Sequence, residues 1–232
     1  MIRRDYLLRQ MEEFVAVLTK IAGLTKDQQW QAASALAAGE FQRLAGMNAS
    51  EAVRLSGTEL LARLIQGEPT RVVEAKAFML ATLLKTNGDL LASQGKLQES
   101  RRYYLKGLHL LLETFGRNEI AEHPGFVPAV EAFLTGLRDA PLPLETGALL
   151  MRHYEQAGEF AQAEDTLFDL LEAEPANAAL LDFGTAFYRR LLELSNDALA
   201  AGNLPRAEVE AGLAEVGKRK AHIRSELNRT AC

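Results

Sequence analysis

Cysteine is almost absent from this chain, which has one among 232 residues, Cys232 at the last position. A lone cysteine excludes an intramolecular disulfide and a zinc site built on several cysteines. Long apolar runs are absent too, since none approaches the roughly 20 residues that a membrane-spanning helix needs. The charged N-terminal residues are also unlike a secretory signal peptide. We therefore expect a cytoplasmic protein that does not enter a membrane.

Positive charge is not in excess, because 26 Lys and Arg stand against 31 Asp and Glu, giving a net charge of −5. Binding to duplex nucleic acid needs clustered cations without compensating carboxylates. The densest basic segment, 218–220, falls near a predicted helix C-terminus, where cations interact favourably with the helix dipole. We expect no nucleic-acid partner.

Motifs for catalysis and metal binding are missing as well. Helical zinc sites pair ligands at i and i+4, but the histidines of this chain lie far from one another in sequence. No serine sits in a nucleophile elbow, and no glycine-rich phosphate loop precedes a helix. We expect no metal, no cofactor and no enzymatic activity. A hydrolytic enzyme assembled from scattered carboxylates is the least favoured alternative. The histidines are His109, His123, His153 and His222.

Amphipathic helical periodicity occupies most of the chain, and 48% of its residues are apolar, enough to bury a substantial core. Proline and glycine fall between the periodic segments, and strand-like alternation is nowhere sustained. The pattern predicts an all-α fold.

We predict an N-terminal helical cap region over 1–67 and helical repeats over 68–232. The proline-rich segment 139–143 is the best candidate for a boundary between subdomains.

A phrase of the form Gly-x-apolar-x-x-small recurs between pairs of predicted helices. A helical hairpin needs a residue that tolerates left-handed backbone, then an apolar anchor, then a small side chain where the helices cross. Trp30 followed by Ala33 repeats the end of the phrase without its glycine, and one further helix is predicted over 177–201. The phrase predicts a chain built of helical hairpins. Its turn glycines are Gly95, Gly158 and Gly202, and its anchors are Leu97, Phe160 and Leu204.

The residues around Gly95 and Gly158 resemble the tetratricopeptide repeat, a helical hairpin of 34 residues. Gly88 and Ser100 stand at its small positions, and Tyr104 stands at its large aromatic position. Because the intervals between the turn glycines are not multiples of 34, the resemblance implies an irregular tetratricopeptide-like α-solenoid. Segments 1–11, 43–46 and 56–64 also resemble a family of small bacterial helical proteins of unknown function. Both resemblances imply an interaction scaffold.

In the tetratricopeptide family the first helices of successive hairpins line a concave groove that holds a protein or peptide. In the members that clamp a terminal carboxylate, Lys and Asn hold it, whereas here Asp89 replaces the Asn and would repel it. The resemblance therefore implies a groove but not a carboxylate clamp, and the alternative is that these side chains are merely solvated. The matching positions are Lys85, Asp89, Arg152, Glu155, Arg189 and Asn196.

The first predicted helix has more apolar surface than one neighbouring helix would cover, because Leu8 and Val15 lie beside its main apolar face. The ends of an open helical stack must be covered by a cap or by another chain. We therefore expect this helix either to pack down as a cap or to form a two-fold homodimer contact. The main face consists of Leu7, Met11, Phe14, Leu18 and Ile21.

These observations favour a non-catalytic scaffold or adaptor that binds a protein or peptide partner. A stack of repeats builds an extended surface rather than a closed polar pocket. The alternative is a ligand-sensing regulatory domain, with a cleft between two helical halves that meet near Pro141.

Overall fold

The computed structural model describes residues 2–65, 69–117, 123–138 and 141–230. All regular structure in these ranges is helical, which confirms the predicted all-α class. Two compact units make up the chain, Met1–Ala140 (unit 1) and Pro141–Cys232 (unit 2). This division falls inside the segment 139–143, and residues 1–67 belong to the same unit as the helix that follows them.

Unit 1 contains seven α-helices among the residues described, followed by one turn of 3-10 helix over Thr135–Leu137. The predicted end of the cap region, at residue 67, lies outside the described residues. The helices are α1 (Ile2–Lys26), α2 (Trp30–Ala45), α3 (Ala49–Arg54), α4 (Gly57–Ile65), α5 (Thr70–Ser93), α6 (Leu97–Arg117) and α7 (Val130–Leu134).

Helix α5 forms the centre of unit 1. Every residue of its segment 77–84 is buried, and the helix packs against α1, α2, α4 and α6. A helix that is apolar all round can be stable only inside a core. At its contact with α6, Gly88 lies under the ring of Tyr104, where a Cβ atom would come within 2.8 Å of the ring. The hydroxyl of Ser100 donates to the Gly88 carbonyl at 2.8 Å, which holds the two helices in close contact.

Over residues 141–230, unit 2 contains five helices, of which α8 packs on α9 and α10 packs on both α9 and α12. Asn177 caps α10 and Ser195 caps α11 through their side-chain oxygens. The helix predicted over 177–201 is therefore two helices. The five are α8 (Leu144–Ala157), α9 (Phe160–Ala173), α10 (Ala178–Leu192), α11 (Asn196–Ala201) and α12 (Arg206–Thr230).

Four helix ends share one turn geometry, in which the chain passes through a left-handed residue. In each, the following N–H bonds to the carbonyl five residues back, as Lys96 N–H does to Leu91 O at 3.0 Å. This is the hydrogen-bond pattern of the Schellman motif. The turn that precedes Trp30 belongs to this set, although its left-handed residue is a glutamine. The left-handed residues are Gln28, Gly95, Gly158 and Asn203.

The prediction that Gly202 supplies the left-handed turn is wrong, because Asn203 has φ of 56° whereas Gly202 has φ of −84°. Asparagine tolerates the left-handed region better than most residues. Gly202 is needed for its small size, since a Cβ atom there would lie 2.3 Å from Phe160 Cδ2 and 2.5 Å from the Gly158 carbonyl oxygen.

The predicted anchor role of Leu97 is also wrong, because this side chain is 65% exposed, while Phe160 and Leu204 are buried. Phe160 is covered by Gly202 of the next turn in unit 2. No second turn covers Leu97 in the part of unit 1 that the structure describes. None of the helices in the described ranges is both long enough and apolar enough to cross a membrane.

Candidate partner-binding surface

Lys85 and Asp89 lie one turn apart on α5 and form an ion pair, with 2.8 Å between Nζ and Oδ2. The hydroxyl of Tyr104 on α6 donates to Oδ1 of the same carboxylate at 2.8 Å. Burial, together with the hydrogen bond to Asp89 and its negative charge, raises the pKa of Tyr104 to about 12. Both charges of the Lys85–Asp89 pair are compensated within the chain, so the pair presents little net charge to a partner.

Glu155 on α8 pairs with Arg190 on α10 rather than with a ligand. The contact is bidentate, with Nε to Oε1 at 2.7 Å and Nη2 to Oε2 at 2.8 Å. The hydrogen bonds to Glu155 raise the pKa of Arg190, although burial opposes them. This ion pair joins helix α8 to helix α10.

Asn196 has a structural partner. Its Oδ1 accepts a hydrogen bond of 2.5 Å from Nε of Arg206, the first residue of α12. The same guanidinium donates to the carbonyl oxygens of Leu192 at 3.1 Å and Leu194 at 2.6 Å. Arg206 thereby ties α12 to the link between α10 and α11, and the amide oxygen of Asn196 is part of that tie.

Arg152 and Arg189 are the remaining two predicted groove residues. Both are exposed, and neither makes a hydrogen bond or ion pair with another residue in the described ranges. Arg152 precedes Glu155 by three residues and shares its face of α8, while Arg189 adjoins Arg190 on α10. We call these four residues, Arg152, Glu155, Arg189 and Arg190, the arginine surface. Together these four residues have three positive charges and one negative charge.

The six predicted groove residues thus divide between the two units, with Lys85 and Asp89 in unit 1 and the other four in unit 2. The structure brings together Lys85 with Asp89, and it places Glu155 beside Arg190. Sequence reasoning missed Arg190, and the doubled arginine at 189–190 was the only signal that could have suggested it.

His123 packs among aromatic rings in unit 1. Its ring centroid lies 4.3 Å from that of Phe115 and 5.4 Å from that of Phe78. Burial lowers the pKa of His123, which favours the neutral ring. Within the described ranges, no three His, Cys, Asp or Glu side chains are grouped in a way that could hold a metal ion.

A partly open cleft of about 380 Å³ lies in unit 1 between α4, α5 and the end of α6. Its lining is mostly apolar, and Glu74 and Arg117 supply its charges. A volume of several hundred cubic ångströms is typical of small-molecule sites. The apolar residues of the lining are Leu61, Ile65, Val73 and Ala77.

Comparison with protein-family models gives a match for this chain. DUF6483, a family of unknown function, matches residues 1–221 of the chain. No curated protein and no solved structure matches. The match agrees with the resemblance of the sequence to an uncharacterised helical family. Because it covers nearly the whole length, the chain belongs to DUF6483, a family of unknown function.

Proposed function

We propose that the protein is a non-catalytic scaffold or adaptor, and that its arginine surface binds an acidic segment of a protein partner. The observation that carries this proposal is that Arg152 and Arg189 are exposed and make no ion pair within the described residues. Guanidinium groups bind carboxylates through two parallel hydrogen bonds, and complementary charge speeds association and selects the partner.

The proposal also takes unit 2 to be a short tetratricopeptide-like stack. Its two turns pack on each other, since Ala161 N–H donates to the Gly202 carbonyl at 3.1 Å. Glycines lie under leucine side chains at the helix contacts, Gly147 under Leu170 and Gly184 under Leu167. In such a stack α8 and α10 are the first helices of successive hairpins, and their shared surface is the one that binds partners in the family that the chain resembles.

Selection from a library of random peptides on the full chain tests the proposal. We expect the selected peptides to be rich in Asp and Glu, and we expect the variant Arg152→Glu/Arg189→Glu to lose about tenfold or more in affinity for them. The matched control is Arg102→Glu/Lys218→Glu, which makes the same charge change at exposed positions elsewhere. Peptides without acidic enrichment, or equal losses in both variants, would contradict the proposal.

The cleft of unit 1 favours a second candidate function, that of a ligand-sensing regulatory domain. Its apolar lining with two charged residues fits a small amphiphilic molecule. A thermal-shift screen of such molecules tests this function. A ligand that stabilises the wild type, and that no longer stabilises a Val73→Phe variant with a partly filled cleft, would support it.

A further inference from the structure

Helix α1 carries two apolar stripes, and one of them faces the interior of unit 1. Phe14 and Ile21 are fully buried, and the ring of Phe14 packs edge-on against Phe126 with 5.5 Å between centroids. The dimer face predicted from the sequence, which includes these two residues, is therefore not available as a whole. This burial agrees with the alternative expectation, in which α1 packs down on the helices beside it.

The second stripe lies beside this buried face and has the spacing of a helix-pairing seam. Its members recur at intervals of three and four residues and include no charged residue. Leu8 is 49% exposed and Val15 is 40% exposed, Met11 and Leu18 are half-buried, and Ala22 is exposed. Alternating intervals of three and four apolar residues are typical of a coiled-coil seam, so the surface that fits this stripe is another helix. We call it the α1 seam: Leu8, Met11, Val15, Leu18 and Ala22.

We propose that the α1 seam pairs with the α1 seam of a second copy of this chain, antiparallel, with Val15 on the two-fold axis. This arrangement sets Leu8 of each copy opposite Ala22 of the other, so a large side chain meets a small one at both ends. A parallel pair would instead set leucine against leucine and alanine against alanine, which leaves a gap at Ala22. The seam is thus complementary to itself in the antiparallel sense, as a two-fold contact requires.

The flank of the seam permits the same arrangement. Glu12 and Thr19 are exposed on one side of it. An antiparallel pair centred on Val15 sets each Glu12 near the level of a neutral Thr19 in the other copy, so these two carboxylates do not face each other.

The length of the seam sets the strength of the dimer. At 1.5 Å per residue the seam is about 21 Å long. A single pair of helices of this length buries less than the roughly 1,600 Å² of a standard interface. We therefore expect a dissociation constant in the micromolar range or weaker, and a dimer that dissociates on dilution.

Sedimentation velocity of the full chain over a series of concentrations tests the dimer. The wild-type mass should rise with concentration from 25.5 kDa towards twice that value. The variant Leu8→Glu/Val15→Glu should stay monomeric. The control Ala16→Glu, at an exposed position on another side of α1, should dimerise as the wild type does. A wild type that is monomeric throughout, or dimerisation unaffected by Leu8→Glu/Val15→Glu, would overturn the proposal.

Disulfide crosslinking tests the orientation with substitutions that keep the seam apolar. In a Cys232→Ser background, Val15→Cys alone should form a covalent dimer under oxidation, because its two copies meet on the axis. Leu8→Cys should crosslink when mixed with Ala22→Cys but not by itself. Efficient crosslinking of Leu8→Cys to itself would show parallel pairing and overturn the antiparallel arrangement, and absence of a Val15→Cys dimer would overturn the pairing itself.

Discussion

Ala161 N–H donates a hydrogen bond to the carbonyl oxygen of Gly202 at 3.1 Å, so the turn before α9 and the turn before α12 lie directly on each other. The ring of Phe160 fills the space over Gly202, and this space exists because residue 202 has no side chain. The two turns, which share the same sequence phrase, thus pack directly against each other. This contact joins the turn between α8 and α9 to the turn between α11 and α12 in unit 2.

A methyl group at position 202 should therefore destabilise unit 2. In Gly202→Ala the new Cβ atom would meet the Gly158 carbonyl oxygen at 2.5 Å, and backbone cannot move aside as a flexible side chain can. We expect a loss of about 1–3 kcal/mol in the free energy of unfolding, measured in urea. The control Gly217→Ala lies on α12 with open space around it and should instead gain up to about 1 kcal/mol. Equal effects of the two substitutions would contradict this view of the contact.

Gln28 is a position where substitution should stabilise the chain. This residue has φ of 58°, a left-handed conformation that costs a side-chain-bearing residue about 1–2 kcal/mol. Gln28→Gly should recover about 1 kcal/mol of unfolding free energy in chemical denaturation. Asn203→Gly should recover less, because asparagine tolerates this region, and Gly95→Ala should destabilise. A neutral or destabilising Gln28→Gly would show that this conformation is not strained.

Unit 2 should lose stability as the pH rises, through Glu164. Burial raises the pKa of this carboxyl, the charges of Glu208 and Asp165 raise it further, and the hydrogen bond from Tyr188 partly opposes them. Because the folded-state pKa lies above the unfolded value of about 4.5, stability is greatest below the unfolded pKa and falls as pH rises through the folded one. Asp169 acts in the same direction, since burial raises its pKa as well.

The variant Glu164→Gln tests this pH dependence, because glutamine is neutral and its Oε1 can still accept from Tyr188. Near neutral pH the variant should melt at a higher temperature than the wild type, and the difference should vanish at low pH. Thermal melts from about pH 4 to about pH 8 measure it. Glu210→Gln, exposed on α12, is the control and should follow the wild type throughout. A difference in melting temperature that did not depend on pH would contradict the assignment to Glu164.

Tyr104 should ionise well above the ordinary range of a tyrosine. Its pKa of about 12 comes from burial and from the Asp89 carboxylate, which accepts a hydrogen bond from the Tyr104 hydroxyl and carries a negative charge. An absorbance titration of wild type beside Tyr104→Phe should differ by one phenol with a midpoint near pH 12. The variant should also lose about 1 kcal/mol of stability with the hydrogen bond. A difference spectrum centred near pH 10, the ordinary value, would show that the phenol is solvated.

Local features of the fold were predictable from the sequence. Helical periodicity and the positions of proline and glycine predicted the all-α class, and the phrase around Gly158 predicted a buried anchor at Phe160. Where the prediction failed, a distant contact decided the outcome. Gly202 faces Phe160, and the left-handed residue of that turn is Asn203. Leu97 is exposed, and no second turn packs on it among the described residues of unit 1.

The candidate site was predictable only in part, for the same reason. Glu155 and Arg190 are 35 residues apart, so no local sequence pattern could predict their ion pair. The pairing of Asn196 with Arg206 also forms only once α11 and α12 are packed together. The exposure of Arg152 and Arg189, by contrast, can be predicted from their positions on the helices alone. These two residues therefore remain candidates for binding a partner.

A charge swap tests the central claim most directly, namely that the arginine surface recognises an acidic partner. Titration calorimetry would compare a selected acidic peptide with the same peptide carrying Lys in place of its Asp and Glu. Our account predicts that the wild type binds the acidic peptide, and that Arg152→Glu/Arg189→Glu loses that binding and gains affinity for the basic peptide. Undiminished binding of the acidic peptide by the double variant would contradict it.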